Sequence, residues 1–225
     1  SFDLQTAYQL HEDLITAQKH LILSDDFHLL YLVAPYDIAR QIKPYGSVMF
    51  DVLTNLPPSA MQVPTLLGLN EGVICKLRDE ILPRNIKAIV FGKFYLCLMM
   101  NDLRKGQTVY AVSEKYRVTR GITQNLLTAA AAFTSSVVRF CQEIPEFWAF
   151  TELLKGFGKK LTHCFNEELE PLLALPAVKM ARAKQLYNAG FKSLQSIAAA
   201  DPNELQNNLK FVSRKTIDQM IATAN

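Results

Sequence analysis

The 225-residue sequence lacks the short motifs that nucleotide-hydrolysing motors and zinc modules need. No GxxxxGK[ST] segment occurs, and the Gly-Phe-Gly-Lys-Lys run at residues 156–160 has the wrong spacing to cradle a phosphate. The four cysteines contain no CxxC pair, which argues against a zinc site. Each lies in an apolar run, so we expect buried thiols at Cys75, Cys97, Cys141 and Cys164.

Long hydrophobic runs and alternating strand patterns are also missing. The most apolar region, Ile86 to Met100, is broken by Lys87 and Lys93 and is too short to span a membrane. Glycine is sparse, with nine residues, whereas Leu and Ala are abundant and apolar residues recur at helical spacing almost throughout. The sequence therefore predicts an all-α protein that is not embedded in a membrane.

The modest net charge of +3 is unevenly distributed along the chain. Residues 1–154 carry 14 Lys and Arg against 15 Asp and Glu, whereas residues 155–225 carry 10 against 6. The net charge is therefore −1 in the first part and +4 in the second. A polyanionic partner would be met in the second part, although a solvated helical surface explains the same numbers.

Helix signals divide the chain into a bundle over residues 1–168 and a smaller domain over residues 169–225. In the bundle we expect, among other helices, one over residues 71–82, one over 84–104, a short one from Val109 to Tyr116 and a long one from Arg120 to Glu143. In the second domain, residues 175–186 resemble residues 209–220 at an offset of 34. This repeat predicts two helical hairpins related by pseudo-symmetry.

The long helix and the short helix before it carry two competing functional interpretations. As a helix-turn-helix, the pair would present Thr119, Arg120, Thr123 and Gln124 to a DNA groove. Alternatively, the Ala-rich segment around Phe133 would let a single strand approach closely and stack a base on that ring. A helix packed inside the bundle, with no ligand, is the alternative to both and is favoured by the residue pattern alone.

The tandem hairpins offer a third candidate site. Hairpins of this kind can place backbone N–H groups against a phosphate, independently of base sequence. Five cations flank the two loops and would add a salt-dependent attraction: Lys179, Arg182 and Lys184 at the first, and Arg214 and Lys215 at the second. The alternative is a protein-packing hairpin with solvated charges.

Five segments, in order along the whole chain, resemble the POLQ-like superfamily 2 (Ski-like) DNA helicases, in particular their animal nuclear branch. The segments are residues 26–37 (Asp-Phe-His-Leu-Leu-Tyr-Leu-Val-Ala-Pro-Tyr-Asp), 112–116 (Val-Ser-Glu-Lys-Tyr), 120–127 (Arg-Gly-Ile-Thr-Gln-Asn-Leu-Leu), 147–148 (Phe-Trp) and 182–190 (Arg-Ala-Lys-Gln-Leu-Tyr-Asn-Ala-Gly). In that family, two RecA-like motor domains and a winged helix precede a helical "ratchet" bundle and a helix-hairpin-helix domain. The resemblance implies that this chain holds the last two, as a C-terminal region.

The resemblance also implies a function. The family unwinds DNA 3′ to 5′ with ATP and Mg²⁺ in the repair of stalled forks, crosslinks and double-strand breaks. A fragment of this kind would bind no cofactor or metal and be inactive alone, while guiding the tracking strand of single-stranded or forked DNA. Its partners would be its own motor and winged-helix domains and repair proteins such as replication protein A or recombinase complexes, and its location would be the nucleus.

By resemblance, the strand would follow the Arg120–Glu143 helix, with Gln124, Asn125 and Phe133 against it and Arg120 near the start of its path. The five hairpin cations would contact phosphates, together with Lys155, Lys159 and Lys160 as further candidates. Archaeal relatives carry an Arg and a Trp seven residues apart where this chain has Asn125 and Ala132. The hairpin loops have Ala177-Val178-Lys179 and Phe211-Val212-Ser213 in place of Gly-x-Gly.

Because the hairpin glycines are missing, a protein-interaction module remains an alternative of a different class, and a helix-turn-helix DNA-binding protein is another. Glycine would let the backbone approach a phosphate closely. Burial of the helix from Arg120 in the structure would discriminate between groove reading and the other two functions.

Overall fold

The computed structural model describes residues 2–225, except for the side chains of residues 163–168. Its contacts form two compact units, Ser1–Leu161 and Thr162–Asn225, each with its own hydrophobic core. The described residues contain helices and turns but no strand, which confirms the all-α prediction.

The first unit is built from ten α-helices and two 3-10 turns, the last helix continuing beyond its boundary. The α-helices are α1 (Leu4–His20), α2 (Phe27–Val33), α3 (Tyr36–Gln41), α4 (Gly46–Thr54), α5 (Gln62–Leu66), α6 (Glu71–Leu77), α7 (Ala88–Arg104), α8 (Val109–Tyr116), α9 (Arg120–Glu143) and α10 (Trp148–Leu173). The 3-10 turns are Pro58–Met61 and Pro145–Phe147, and Pro145 opens the second of them just before α10.

Helix α7 lies at the centre of this unit. Every residue from Phe91 to Met100 is buried, as expected of a helix that is surrounded by neighbours on all sides. Helix α3 crosses it closely, since a Cβ on Gly92 would lie 2.5 Å from the carbonyl oxygen of Ala39. Helices α2, α3, α8 and α9 all contact α7, and α9 therefore packs beside the centre rather than occupying it.

A buried ion pair links α1 to α7. The Lys93 ammonium is fully buried and lies 3.2 Å from an Asp13 carboxylate oxygen, which also accepts a hydrogen bond from the Tyr36 hydroxyl. The ammonium also lies 4.0 Å from the Tyr36 ring centroid and 4.8 Å from that of Tyr31. Burial lowers the pKa of Lys93, and the neighbouring Asp13 carboxylate opposes that shift. One charged cluster thus joins α1, α2, α3 and α7.

Several predictions for the first unit need correction. Helix α6 ends at Leu77 instead of Leu82, because Glu80 adopts a left-handed conformation and its carboxylate accepts hydrogen bonds from the amides of Gly46 and Ser47 at the start of α4. Helix α7 begins at Ala88, four residues later than predicted. On α6, burial of Ile74 and Leu77 turns Cys75 outward, so this thiol is exposed.

Two of the other three cysteines agree with the expectation of buried thiols. Cys97 and Cys141 are buried, and burial raises the pKa of both. The side chain of Cys164 lies outside the described residues.

The second unit contains two helical hairpins in the predicted arrangement. After α10 come α11 (Met180–Asn188), α12 (Leu194–Ala198), α13 (Pro202–Asn208) and α14 (Arg214–Ala224). Helices α11 and α14 begin 34 residues apart, and so do the residues with left-handed conformations, Ala177 (φ 59°) and Phe211 (φ 56°). The side chains of Ser193 and Asp201 cap α12 and α13.

The repeat extends into the core of this unit. Leu175, Ala183 and Leu186 in the first hairpin match Leu209, Ile217 and Met220 in the second at the same offset. All six are buried. Each hairpin therefore contributes the same three positions to one shared core.

Candidate nucleic-acid interface

The start of α9 does not present a groove-reading surface. Thr123 is only 1% exposed and its hydroxyl donates to the Thr119 carbonyl, while Gln124 is half-buried. Of the four predicted reading residues, only Thr119 and Arg120 are exposed, and the Arg120 guanidinium carbon lies 4.7 Å from the Tyr110 ring centroid. Because Thr123 is buried and Gln124 is half-buried, this end of α9 leaves only two of the four residues open to a groove, which argues against the helix-turn-helix alternative.

The outward side of α9 is an exposed strip of small and polar residues, which we call the α9 face. Its positions follow one another at alternating steps of four and three, which is the spacing of a single helical surface. It includes Asn125 and Ala132, which the resemblance predicts to stand at the positions of the Arg and Trp of the archaeal relatives. The α9 face consists of Gly121, Asn125, Thr128, Ala132, Ser135 and Arg139, all exposed.

This composition suits close approach of a polar chain. Only one member, Arg139, is charged, and no side chain among the first five is larger than that of Asn125. The hydroxyls of Thr128 and Ser135 and the amide of Asn125 can each donate and accept hydrogen bonds. Such groups can contact sugars, phosphates or base edges without restricting base sequence.

Phe133 lies one residue beyond this face and its ring is engaged by the core. It is half-buried, with ring centroids of Phe2 and Tyr36 each 5.6 Å away in tilted or edge-on contact. Two neighbouring rings therefore engage Phe133, and its stacking on a base stays a prediction. Adjacent helical residues point about 100° apart, so a side chain next to an exposed Ala132 turns towards the bundle.

The hairpin loops keep a left-handed residue even though neither has glycine there. Ala177 and Phe211 occupy that position, a conformation that costs an L-residue roughly 1–2 kcal/mol. Lys179 and Ser213 follow as the N-caps of α11 and α14. The loop shape thus survives the loss of Gly-x-Gly, but Cβ atoms now stand at the tips.

The five predicted hairpin cations fall into different environments. The Arg182 guanidinium donates to the Ala177 carbonyl at 2.6 Å, so it holds the first loop. Arg214 donates to Asn203 at 2.6 Å and lies 3.3 Å from an Asp218 oxygen. A phosphate would have to compete with these contacts, although exposed ion pairs are worth only about 0–1 kcal/mol.

The remaining three differ in exposure. Lys179 and Lys215 are exposed, and neither ammonium group forms a hydrogen bond or ion pair with the described residues. Lys184 is half-buried and is not without an interaction partner. The structure therefore leaves Lys179 and Lys215 as the most accessible of the five for a phosphate.

On α10, Lys155 pairs with Glu152 at 3.2 Å, whereas Lys159 and Lys160 are exposed. Within the described part of the chain, no three His, Cys, Asp or Glu side chains converge on a possible metal position. No helix described by the structure combines the length and apolar character needed to cross a membrane.

Each of the two units matches a known protein family. Residues 5–161 match the family described as "DNA_pol_Q helicase like region helical domain". The chain belongs to this family. Residues 169–225 match the "SAM-like Helix-hairpin-helix tandem" family, in agreement with the two pseudo-symmetric hairpins.

Individual relatives extend the match over the full chain. The protein named "Helicase POLQ-like" of Homo sapiens is 36% identical over 225 residues, which is all of this chain and 20% of the relative. Its namesake in Drosophila melanogaster is 32% identical over 226 residues, 99% of this chain and 22% of the relative. The "ATP-dependent DNA helicase Hel308" of Pyrococcus abyssi (strain GE5 / Orsay) is 31% identical over 106 residues, 47% of this chain and 14% of the relative.

These matches confirm the predicted resemblance to the POLQ-like helicases. The chain spans about a fifth of the length of the two animal relatives. The roles of the individual residues stay predictions. Most residues of the α9 face are not among the predicted contacts, although their spacing of four and three residues, compared with the apolar positions of the same helix, is a signal that marks them.

Proposed function

We propose that this chain is the non-catalytic, DNA-engaging part of an ATP-dependent 3′–5′ DNA helicase that acts in repair in the nucleus. In this function, the first unit guides the tracking single strand along the α9 face. The second unit contacts phosphates through its hairpins. ATP and Mg²⁺ would belong to the motor of the parent protein, and replication protein A or recombinase complexes would be partners of the whole.

The observation that carries this proposal is the exposed α9 face within a chain of this family. Its exposed positions lie in one line and all but Arg139 have small side chains, so a strand can approach the helix closely, and they include Asn125, which the resemblance predicts to lie against that strand. The accessible Lys179 and Lys215 favour DNA over the protein-interaction alternative, because they are exposed cations beside the two hairpin loops. Forked DNA supplies both the single strand and the phosphates.

The test is fluorescence anisotropy of the chain with a labelled single strand and a matched duplex over a salt series. We expect single-strand preference, and affinity that falls as salt rises. Ala132→Glu would place a negative charge on the α9 face and weaken single-strand binding by about tenfold, as like-charge repulsion of roughly 1.4 kcal/mol predicts. Ala149→Glu puts the same charge on an exposed position of α10 and serves as the matched control.

The hairpin contribution is tested separately through the salt slope. For a single strand, each phosphate that a lysine no longer neutralises makes the slope shallower by about 0.7, so Lys179→Ala with Lys215→Ala would reduce it by about 1.4. Lys19→Ala with Lys105→Ala removes the same charge from exposed positions of the first unit. Equal binding by Ala132→Glu and Ala149→Glu would contradict strand guidance by α9. Absence of all binding at low salt would instead favour the protein-interaction module.

A further inference from the structure

The tip of the second hairpin carries an unusual aromatic residue. The Phe211 side chain is 99% exposed and its backbone lies in the left-handed region, with φ at 56°. For a bulky residue this combination is a rare outlier, since the conformation costs free energy and the ring gains nothing from burial. Outliers that the fold does not require point towards function.

The fold does not require the ring. The equivalent position in the first hairpin, 34 residues earlier, is Ala177, which adopts the same conformation without an aromatic side chain. The second loop is positioned by other contacts, including a hydrogen bond from the Gln206 side chain to the Val212 carbonyl at 3.4 Å and the Ser213 cap of α14. Phe211 is therefore held outward on an ordered loop that an alanine could form.

The charges around the ring indicate which partner it meets. Lys210 precedes it and Lys215 lies four residues after it, and both ammonium groups are exposed without a hydrogen bond or ion pair among the described residues. Arg214 adds a third cation nearby, held by Asn203 and Asp218. A flat apolar ring among cations complements a chain that alternates flat bases with negative phosphates.

We propose that Phe211 stacks on the exposed face of a nucleobase, while Lys210 and Lys215 contact the flanking phosphates. This inference rests on the proposed function, because it assumes that the second unit meets DNA. In this proposal, the tip of the second hairpin contacts DNA through an aromatic side chain instead of through close approach of its backbone to a phosphate. The first hairpin, with Ala177, would bind phosphate alone.

Loss of the ring is the first test. In anisotropy with a thymine single strand, Phe211→Ala should weaken binding by about 5- to 100-fold, the range that aromatic–base stacking gives. The salt slope should not change, because no cation is removed. An oligonucleotide of the same length with abasic sites should bind wild type and Phe211→Ala equally. Tyr8→Ala removes another exposed aromatic side chain, from α1, and should leave affinity unchanged. We expect Phe211→Ala to fold, because Ala177 adopts the same left-handed conformation at the equivalent position of the first hairpin. Circular dichroism checks this.

A fluorescent reporter gives a direct readout of stacking. The only tryptophan, Trp148, is first replaced by Phe, and Phe211→Trp is then introduced. We expect its emission to be quenched by the thymine strand and not by the abasic strand. Quenching by a blunt duplex but not by a single strand would assign the stacked base to a duplex end.

The outcomes separate this inference from the proposed function. If wild type binds the thymine strand, but Phe211→Ala binds equally and the reporter is not quenched, base stacking is refuted while DNA engagement stands. If wild type binds neither oligonucleotide at low salt, DNA engagement fails first and stacking falls with it.

Discussion

The buried pair between Lys93 and Asp13 makes the sharpest stability prediction. Lys93→Met keeps the length and apolar stem of the side chain but removes the ammonium, so the Asp13 carboxylate loses its ionic partner inside the bundle. It keeps the hydroxyl of Tyr36 and the side-chain amide of Gln9, at 3.2 Å, as donors. Removing one partner of a buried ion pair typically costs about 3–5 kcal/mol.

That loss is a large share of a domain's stability, which is usually about 5–15 kcal/mol. With a urea m-value of about 2 kcal/mol per molar, the unfolding midpoint should fall by about 1.5–2.5 M. The assay is urea denaturation followed by far-ultraviolet circular dichroism.

A double-mutant cycle distinguishes a true ion pair from simple packing. Asp13→Asn should also destabilise, because it leaves the Lys93 ammonium fully buried without its counter-charge. The double variant Asp13→Asn with Lys93→Met removes both charges while the Asn side chain still accepts from Tyr36. We expect it to be more stable than the sum of the single losses by about 2 kcal/mol, within the range of direct contacts. Additive losses, or a Lys93→Met cost below about 1 kcal/mol, would refute the reasoning.

Two further predictions concern acid sensitivity and the hairpin loop. Burial lowers the pKa of His28 from 6.5 to about 4, so the unfolded chain takes up a proton that the folded chain refuses. Stability should therefore be lost as pH falls from about 6.5 towards 4, by up to about 3 kcal/mol. In thermal melts, His28→Asn should lose less stability over this pH range than the wild type. The exposed control His20→Asn should lose as much as the wild type. Ala177→Gly should raise stability by about 0.5–1 kcal/mol because it relieves the left-handed conformation, whereas Ala181→Gly, within α11, should lower it by a similar amount. A loss of stability in Ala177→Gly would show that the conformation is not strained.

Local signals predicted the elements whose ends depend on neighbouring residues. Val109–Tyr116 and Arg120–Glu143 match the predicted bounds, because Gly106, Thr108 and Pro145 mark the breaks within a few residues. The hairpin repeat was visible for the same reason, as its caps and apolar positions recur at a fixed offset of 34.

Long-range contacts account for the errors. The end of α6 depends on Glu80 reaching Gly46, which lies 34 residues earlier, and no local pattern encodes that hydrogen bond. On α1, residue type and helical spacing alone would favour burial of both Leu4 and Tyr8. Both are exposed, because the helix turns Leu10, Leu14 and Ala17 towards the core instead. A helix can bury only the side that finds neighbours.

The candidate site shows the same difference between what local sequence predicts and what long-range packing decides. Asn125 was predicted from its resemblance to a contact position and lies on the exposed α9 face. Phe133 was predicted from its residue type, but its ring packs beside Phe2 and Tyr36, from segments far away in sequence. Residue type indicated what each side chain could do, whereas packing decided which side chains are free to do it.

By itself, the sequence determined the helical class, the tandem hairpins and the family, because periodicity, capping residues and repeated segments are written in consecutive positions. The tertiary structure alone decided that α7 forms the centre, that α9 turns small residues outward, and that Phe211 projects from its loop. Those outcomes depend on which helices and loops pack against each other although they are far apart in sequence. The free energy of burying one face of a helix is set by its neighbours in space, not in sequence.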